Sequence, residues 1–289
     1  MFGSIERSWN LAKESMGVIR KDPELMIFPI VSFIAGVVVA GVLGTLAFFT
    51  DSFGGNTVSA LGIVLIFLFY FVTYFVTIYF QVALVAAVKL RLSGGNPTLG
   101  YGIGEANKRL GAIASWAVIA AIIGLILRLL EGAARRSRGG LGNIVAQIAI
   151  GLVGMAWSLA TFFVIPIIAY EGVGGFEAIK RSAGVIKRRW GEAVVGQAGI
   201  GLIMFLLALL VGGVFGIIGI LLLINGGTVG AVIGIAFISV AVLGVLSIVV
   251  LAATLQSVYT AALYEYATGG KASTSFSQNA LDSAFRPKH

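Results

Sequence analysis

Six apolar runs, each long enough to cross a bilayer, leave this chain few ways to fold. They lie at about 25–49, 58–90, 110–130, 143–170, 193–224 and 229–267, and a helix needs only about 20 apolar residues to span the hydrocarbon core. No water reaches that core to pair with a backbone N–H or C=O, so each run must satisfy its own backbone as a helix. The ten-residue alternating segments of an outer-membrane barrel are absent. Charged residues make up 11% of the chain, against about 25% in soluble domains. The expectation is an all-α polytopic bundle of six transmembrane helices, forming a single integral membrane domain over residues 1–289.

Charge sets the orientation. The formal net charge is +8, but lysine and arginine flanking membrane spans account for it without a nucleic-acid partner. The N-terminus, the 89–109 connection, the stretch 171–192 and the C-terminal tail hold 16 of the 20 basic residues. By the excess of basic residues on the cytoplasmic side, both termini are expected there, in a plasma (cytoplasmic) membrane. Arg128, Arg135, Arg136 and Arg138 dissent, all in one hairpin on the other side. The first 24 residues carry eight charges ahead of a run already of spanning length, so no cleavable signal peptide is expected. With no cysteine in the chain, disulfides and thiolate metal sites are excluded.

A repeat underlies the pattern. Phe176, Ile179, Ala183, Ile186 and Trp190 follow at spacings of 3, 4, 3 and 4, one stripe of a helix. Shifted by 174, the stripe recurs as Phe2, Ile5, Trp9, Ala12 and Met16, and EANKR at 105–109 echoes EAIKR at 177–181. The ends of the even spans also agree, QVALVAAVKLRLSGG at 81–95 with QSVYTAALYEYATGG at 256–270. Three units result, about 1–95, 96–175 and 176–270, each an amphipathic surface helix followed by a transmembrane hairpin. A tail, 271–289, follows them. Phe276, Leu281 and Phe285 in it suggest a last short helix under the bundle.

Taken together, FGSIERSWNLAKES at 2–15, the 171–192 stretch, AALYEYATGG at 261–270 and AFRPK at 284–288 resemble an uncharacterised family of prokaryotic six-span membrane proteins. More loosely, the E-G-x-G-x-x-E-A-I-x-R-S core at 171–182 is similar to the membrane domain attached to some glycerophosphodiester phosphodiesterases. The close resemblance implies the fold and brings no site residues. The loose one brings no chemistry, because the phosphodiester-cleaving barrel is a separate soluble domain that nothing here matches.

Catalytic and cofactor constellations are missing from the sequence. The one histidine is His289, the last residue, and no metal site, cofactor or enzymatic activity is expected. The 171–192 helix is expected to lie at the cytoplasmic surface, its stripe turned to acyl chains or the bundle. Lys180, Arg181, Lys187, Arg188, Arg189 and Trp190 would meet anionic lipid headgroups or a protein partner of unknown identity. Gln81, Gln197 and Gln256, within spans, are candidates to line a path, although such amides also bond between helices. The small-residue lines Gly36–Ala40–Gly44, Gly212–Gly216 and Gly230–Gly234 suggest close helix packing. Pro29 and Pro166 should kink or start helices. Trp9, Trp116 and Trp190 suit the interface, with Trp157 deeper. The over-long sixth span should project into the cytoplasm at Tyr259, Tyr264, Glu265 and Tyr266. Two functions remain: a non-enzymatic membrane organiser or partner-binding scaffold, and an uncoupled permease or channel for a small solute or lipid. The absence of ionisable groups from the middles of the spans favours the first.

Overall fold

The computed structural model describes residues 2–50, 59–136, 141–188, 192–269 and 276. Its elements are α1 (Phe2–Lys21), a short 3-10 turn (Pro23–Met26), α2 (Ile27–Phe49), α3 (Ala60–Leu92), α4 (Leu99–Asn107), α5 (Leu110–Arg136), α6 (Leu141–Ala160), α7 (Val164–Glu171), α8 (Gly175–Arg188), α9 (Glu192–Asn225) and α10 (Gly227–Gly269). Among the described residues there is no strand. Six helical stretches are long and apolar enough to cross a membrane: Pro23–Phe49, Leu61–Leu92, Leu110–Ala134, Ile144–Glu171, Gly199–Asn225 and Gly227–Gly269. The chain divides into two compact units: a central one of residues 27–190, and a terminal one joining 1–26 to 191–289.

In the central unit α2 and α3 form a hairpin, α4 packs on α3, and α3 packs in turn on α5 and α7. The packed core is gathered at the basic end of α3. All of Val82, Ala83, Leu84, Val85, Ala86, Ala87 and Val88 are buried there, as are Val164, Ile167, Ile168 and Ala169 of α7. Toward the far end of the α2–α3 hairpin, Val38, Val42, Ile63 and Val64 are exposed, as lipid-solvated residues can be.

Prolines set the helix starts. Pro23 opens the 3-10 turn, and Pro29 is the third residue of α2, where a missing N–H costs nothing. Pro166 is likewise the third residue of α7. Its ring excludes the carbonyl four residues back, so the fourth span breaks over 161–163 instead of running through. The break exposes the N–H of buried Phe163, which donates to Ser182 Oγ of α8 at 2.9 Å.

The terminal unit is built on glycine. Along α9 and α10, Gly219 and Gly234 meet backbone to backbone: a Cβ on Gly234 would lie 2.6 Å from the Gly219 oxygen. Gly212 and Gly244 admit Val245 and Val211 from the partner helix. Gly216, expected beside Gly212, faces open space, and so do Gly36 and Gly44 of α2. Their expected close packing is therefore not found. α1 packs on both α9 and α10, with Ala12, Ser15, Val18 and Ile19 buried.

α10 runs unbroken through 43 residues, and Tyr259, Tyr264 and Tyr266 in its last turns are buried. Aromatic rings with polar tips satisfied by neighbours serve there as core. One expectation needs correction here. Trp116 is not a free interfacial anchor. It is buried and stacks on Trp157 at a 5.8 Å centroid distance. Of the tail, Phe276 is buried, whereas Leu281 and Phe285 lie outside the described residues.

The α4–α3 contact allows a paired test. A Cβ on Gly102 would stand 2.5 Å from the Phe28 ring and 2.7 Å from the Ala83 carbonyl oxygen, whereas one on Gly104 would meet nothing within 4 Å. Gly102→Ala should destabilise the detergent-solubilised protein by about 1–3 kcal/mol through overpacking. Gly104→Ala should gain up to about 1 kcal/mol from helix propensity. Thermal melts of both variants check the contrast.

Candidate functional site

α8 is where charge, aromatic surface and tight packing meet. At about 100° per residue, Gly175, Ala178 and Ser182 fall on one line, and all three are buried. Gly175 sits so close to α5 that a Cβ would lie 2.7 Å from the Trp116 Cα, and its N–H donates to Ser115 Oγ at 2.8 Å. Ser182 caps the break before α7. The helix is thus fastened by small residues and two hydrogen bonds, not by its large apolar side chains.

Those large side chains lie about a quarter-turn away from the seam. Ile179 and Ile186 are half-buried, and Phe176 is 78% exposed. Phe176 shares a flank with Lys180, Ala183 and Lys187, at spacings of 4, 3 and 4. Both lysines are exposed, and among the described residues neither has an ion-pair partner.

Arg181 is committed elsewhere. Its Nε donates to Glu177 Oε1 at 2.8 Å and its Nη1 to Glu171 Oε2, across the αL turn at Gly172. The hydrogen bond from Arg181 holds the Glu177 carboxyl below its ordinary value, and Glu177 and then Glu171 raise the arginine. The expected lipid contact at Arg181 is therefore a neutralised clasp between the end of α7 and the start of α8. The side chains of Arg188, Arg189 and Trp190 lie outside the described residues.

α4 carries a matching clasp. Arg109 Nη1 donates to the Glu105 carbonyl oxygen and to Oε2, both at 2.7 Å, while Lys108 Nζ reaches Oε1 at 2.5 Å. Lys108 first, then Arg109, hold the Glu105 carboxyl below its ordinary value. Ala106 and Ala178, at equivalent places in the two EAxKR segments, are both buried. Beside the clasps, Lys89 Nζ lies 4.5 Å from the centre of the Tyr170 ring. Among the described residues, no three acidic or histidine side chains are placed to hold a metal ion.

The proposed path-lining amides are divided between the two units. Gln81 of α3 is exposed and Gln256 of α10 lies against α9 near Gly201, in the other unit. The Gln197 side chain lies outside the described residues. Sequence reasoning passed over a stronger polar feature. Tyr70, Thr73, Tyr74, Thr77 and Gln81 fall within ~100° of arc on α3, and Arg128 lies over the Tyr70 ring at 5.5 Å. Their 3-4 spacing inside an apolar run was the available signal. Arg128, counted above with the arginines of the outer hairpin, lies within α5, which continues through it to Arg136.

A multi-pass helical membrane protein is what the six long apolar helices fit. The match to a family model over residues 60–274 makes the assignment specific: the chain belongs to the family of unknown function DUF6159. No curated protein matches the sequence. The looser likeness to the phosphodiesterase-linked membrane domain gains no support from either comparison.

The two clasps set an acid limit. Glu105 and Glu177 have folded-state values below the ordinary 4.5, so their contribution is complete above that value and lost as pH falls through the lower folded one. In detergent, the wild-type melting temperature should hold from pH 7 to about 5 and fall below about 4.5. Glu105→Gln should melt lower at pH 7 and lose less on acidification.

Proposed function

We propose that this protein is a non-enzymatic organiser of the membrane surface, engaging anionic headgroups at the cytoplasmic face of the plasma membrane through α8. The observation that carries this reading is the division of α8 into three faces. Small residues bind it to the bundle, a carboxylate clasp neutralises Arg181, and the remaining flank offers Phe176 with Lys180 and Lys187. An aromatic ring at acyl-chain depth with lysines reaching to phosphates is the chemistry of an interfacial anchor. Each lysine near an anionic leaflet adds about 1 kcal/mol.

The three-unit organisation belongs to the same proposal. Its support is the element order, in which α1, α4 and α8 each precede a pair of spans, and the paired clasps on α4 and α8. Under it, surface helices sit at one membrane face and both termini are cytoplasmic.

Two measurements test the reading. Native mass spectrometry should show that Lys180→Gln with Lys187→Gln reduces retention of phosphatidylglycerol, by about 30-fold in affinity for two charges, without changing retention of phosphatidylcholine. Equal loss of both lipids would refute the anionic anchor. Because the chain has no cysteine, single cysteines can be introduced without background. Ser52→Cys should react with an impermeant maleimide outside intact cells and Lys180→Cys should not, and the reverse pattern would overturn the orientation.

A further inference from the structure

The hydroxyl-bearing face of α3 is not used by the surface-anchor reading, and its hydrogen-bond bookkeeping is unusual. Elsewhere in the spans, unbonded Thr45 is exposed, and many hydroxyls, those of Thr161, Ser239, Ser247, Thr254, Ser257 and Thr260 among them, return to the carbonyl four residues back, at 2.7–2.9 Å. Thr73 does not: its Oγ1 is buried without a partner. Among the described residues Thr77 and Tyr74 make no side-chain hydrogen bond either. The Tyr74 hydroxyl points at Gly124, where a Cβ would be 2.8 Å away. A hydroxyl left unpaired in hydrocarbon is costly, so this face is suited to a polar group that comes from outside the protein.

Arg128 identifies the group. It lies inside the apolar stretch Leu110–Ala134, and an ionisable side chain within a span points to function. Its guanidinium rests on the Tyr70 ring, and among the described residues no carboxylate lies within ion-pair distance of it. An unneutralised guanidinium above a row of hydroxyls is complementary to a phosphate. The row runs from Tyr70 to Gln81, about 16 Å of helix, and stays half-exposed along its length. Exposed Phe67, next to the row on the same side of α3, borders it at the Arg128 end. Such a half-exposed, apolar-edged helix face fits an amphiphile whose tails remain in the bilayer better than a free ion, which needs enclosing walls.

We propose that the α3–α5 seam is a track for the phosphate headgroup of an anionic phospholipid. Arg128 receives the phosphate, and Tyr74, Thr73 and Thr77 supply hydrogen bonds along the way. Movement is passive and exchanges lipid between leaflets without coupling to an ion gradient.

The test uses the full chain reconstituted in phosphatidylcholine vesicles containing a trace of short-chain fluorescent phosphatidylglycerol, with albumin extraction reporting the outer leaflet. Wild-type protein should make the inner-leaflet probe extractable. The nearly isosteric set Thr73→Val, Tyr74→Phe and Thr77→Val should slow that exchange at least about tenfold, equivalent to 1.36 kcal/mol in barrier. Arg128→Leu should slow phosphatidylglycerol more than phosphatidylcholine. Each variant is compared at equal monodispersity and melting temperature, and Thr45→Val on α2 serves as the control that leaves exchange unchanged. Absence of exchange by the wild type, or an unaltered rate in the triple variant, overturns the proposal. Uptake of inorganic phosphate without lipid exchange also overturns it, because the ligand would then be the free ion.

Discussion

Close approach of a short helix to a long apolar one, backbone nearly on backbone, is the constraint on which the central unit depends. In lipid, burial of apolar side chains between helices gains little, because acyl chains are as apolar as leucine; packing and hydrogen bonds must supply the attraction. Gly102 against Ala83 and Gly175 against Trp116 provide the packing, and Ser115 and Ser182 provide the bonds. Ser182 does two things at once. It docks α8, and it satisfies the N–H that Pro166 leaves without a helical partner. A methyl group at Gly175 would separate α8 from α5 and strain the Ser115 contact as well.

Electrostatics is mostly local. Glu105 and Glu177 reach their arginines one helical turn away, Glu171 meets Arg181 across the turn before α8, and those arginines are consumed. Lys180 and Lys187, on the flank turned away, keep their charge for the surroundings. The same sequence segment therefore has an internally neutral side and an externally basic one, a division that net charge alone does not reveal.

Much of the architecture was legible in the sequence. Spanning runs stand out because lipid admits only long apolar helices, and Pro166 marked the break in the fourth. What misled was the assumption that the largest apolar residues mark the packed face. On α8 they lie beside it, and Gly175, Ala178 and Ser182 carry the contact, since close helix approach selects small residues. The heptad spacing of Gly212, Gly219 and Gly226 was likewise missed in favour of Gly212 and Gly216. Sequence alone leaves Tyr259 and Tyr264 ambiguous, because an aromatic with a polar tip serves equally at an interface or in a core. The polar face of α3 was overlooked because tyrosine and threonine are common in spans, so their 3-4 spacing was easily passed over.

The discontinuity of the terminal unit has a consequence for biosynthesis. α1 ends at Lys21, while its partners α9 and α10 begin at Glu192 and Gly227. At translation rates of about 5–20 residues per second, the roughly 170 intervening residues take on the order of 10–30 s to emerge. Throughout that interval the buried line of Ala12, Ser15 and Ile19 has no protein to cover it, and the lipid surface or a chaperone must serve instead. The central unit, continuous in the chain, can meanwhile complete its own contacts. α1 leaves the ribosome ahead of the whole central unit and is thus among the last to reach its place, and the pace of synthesis rather than diffusion sets when the terminal unit closes.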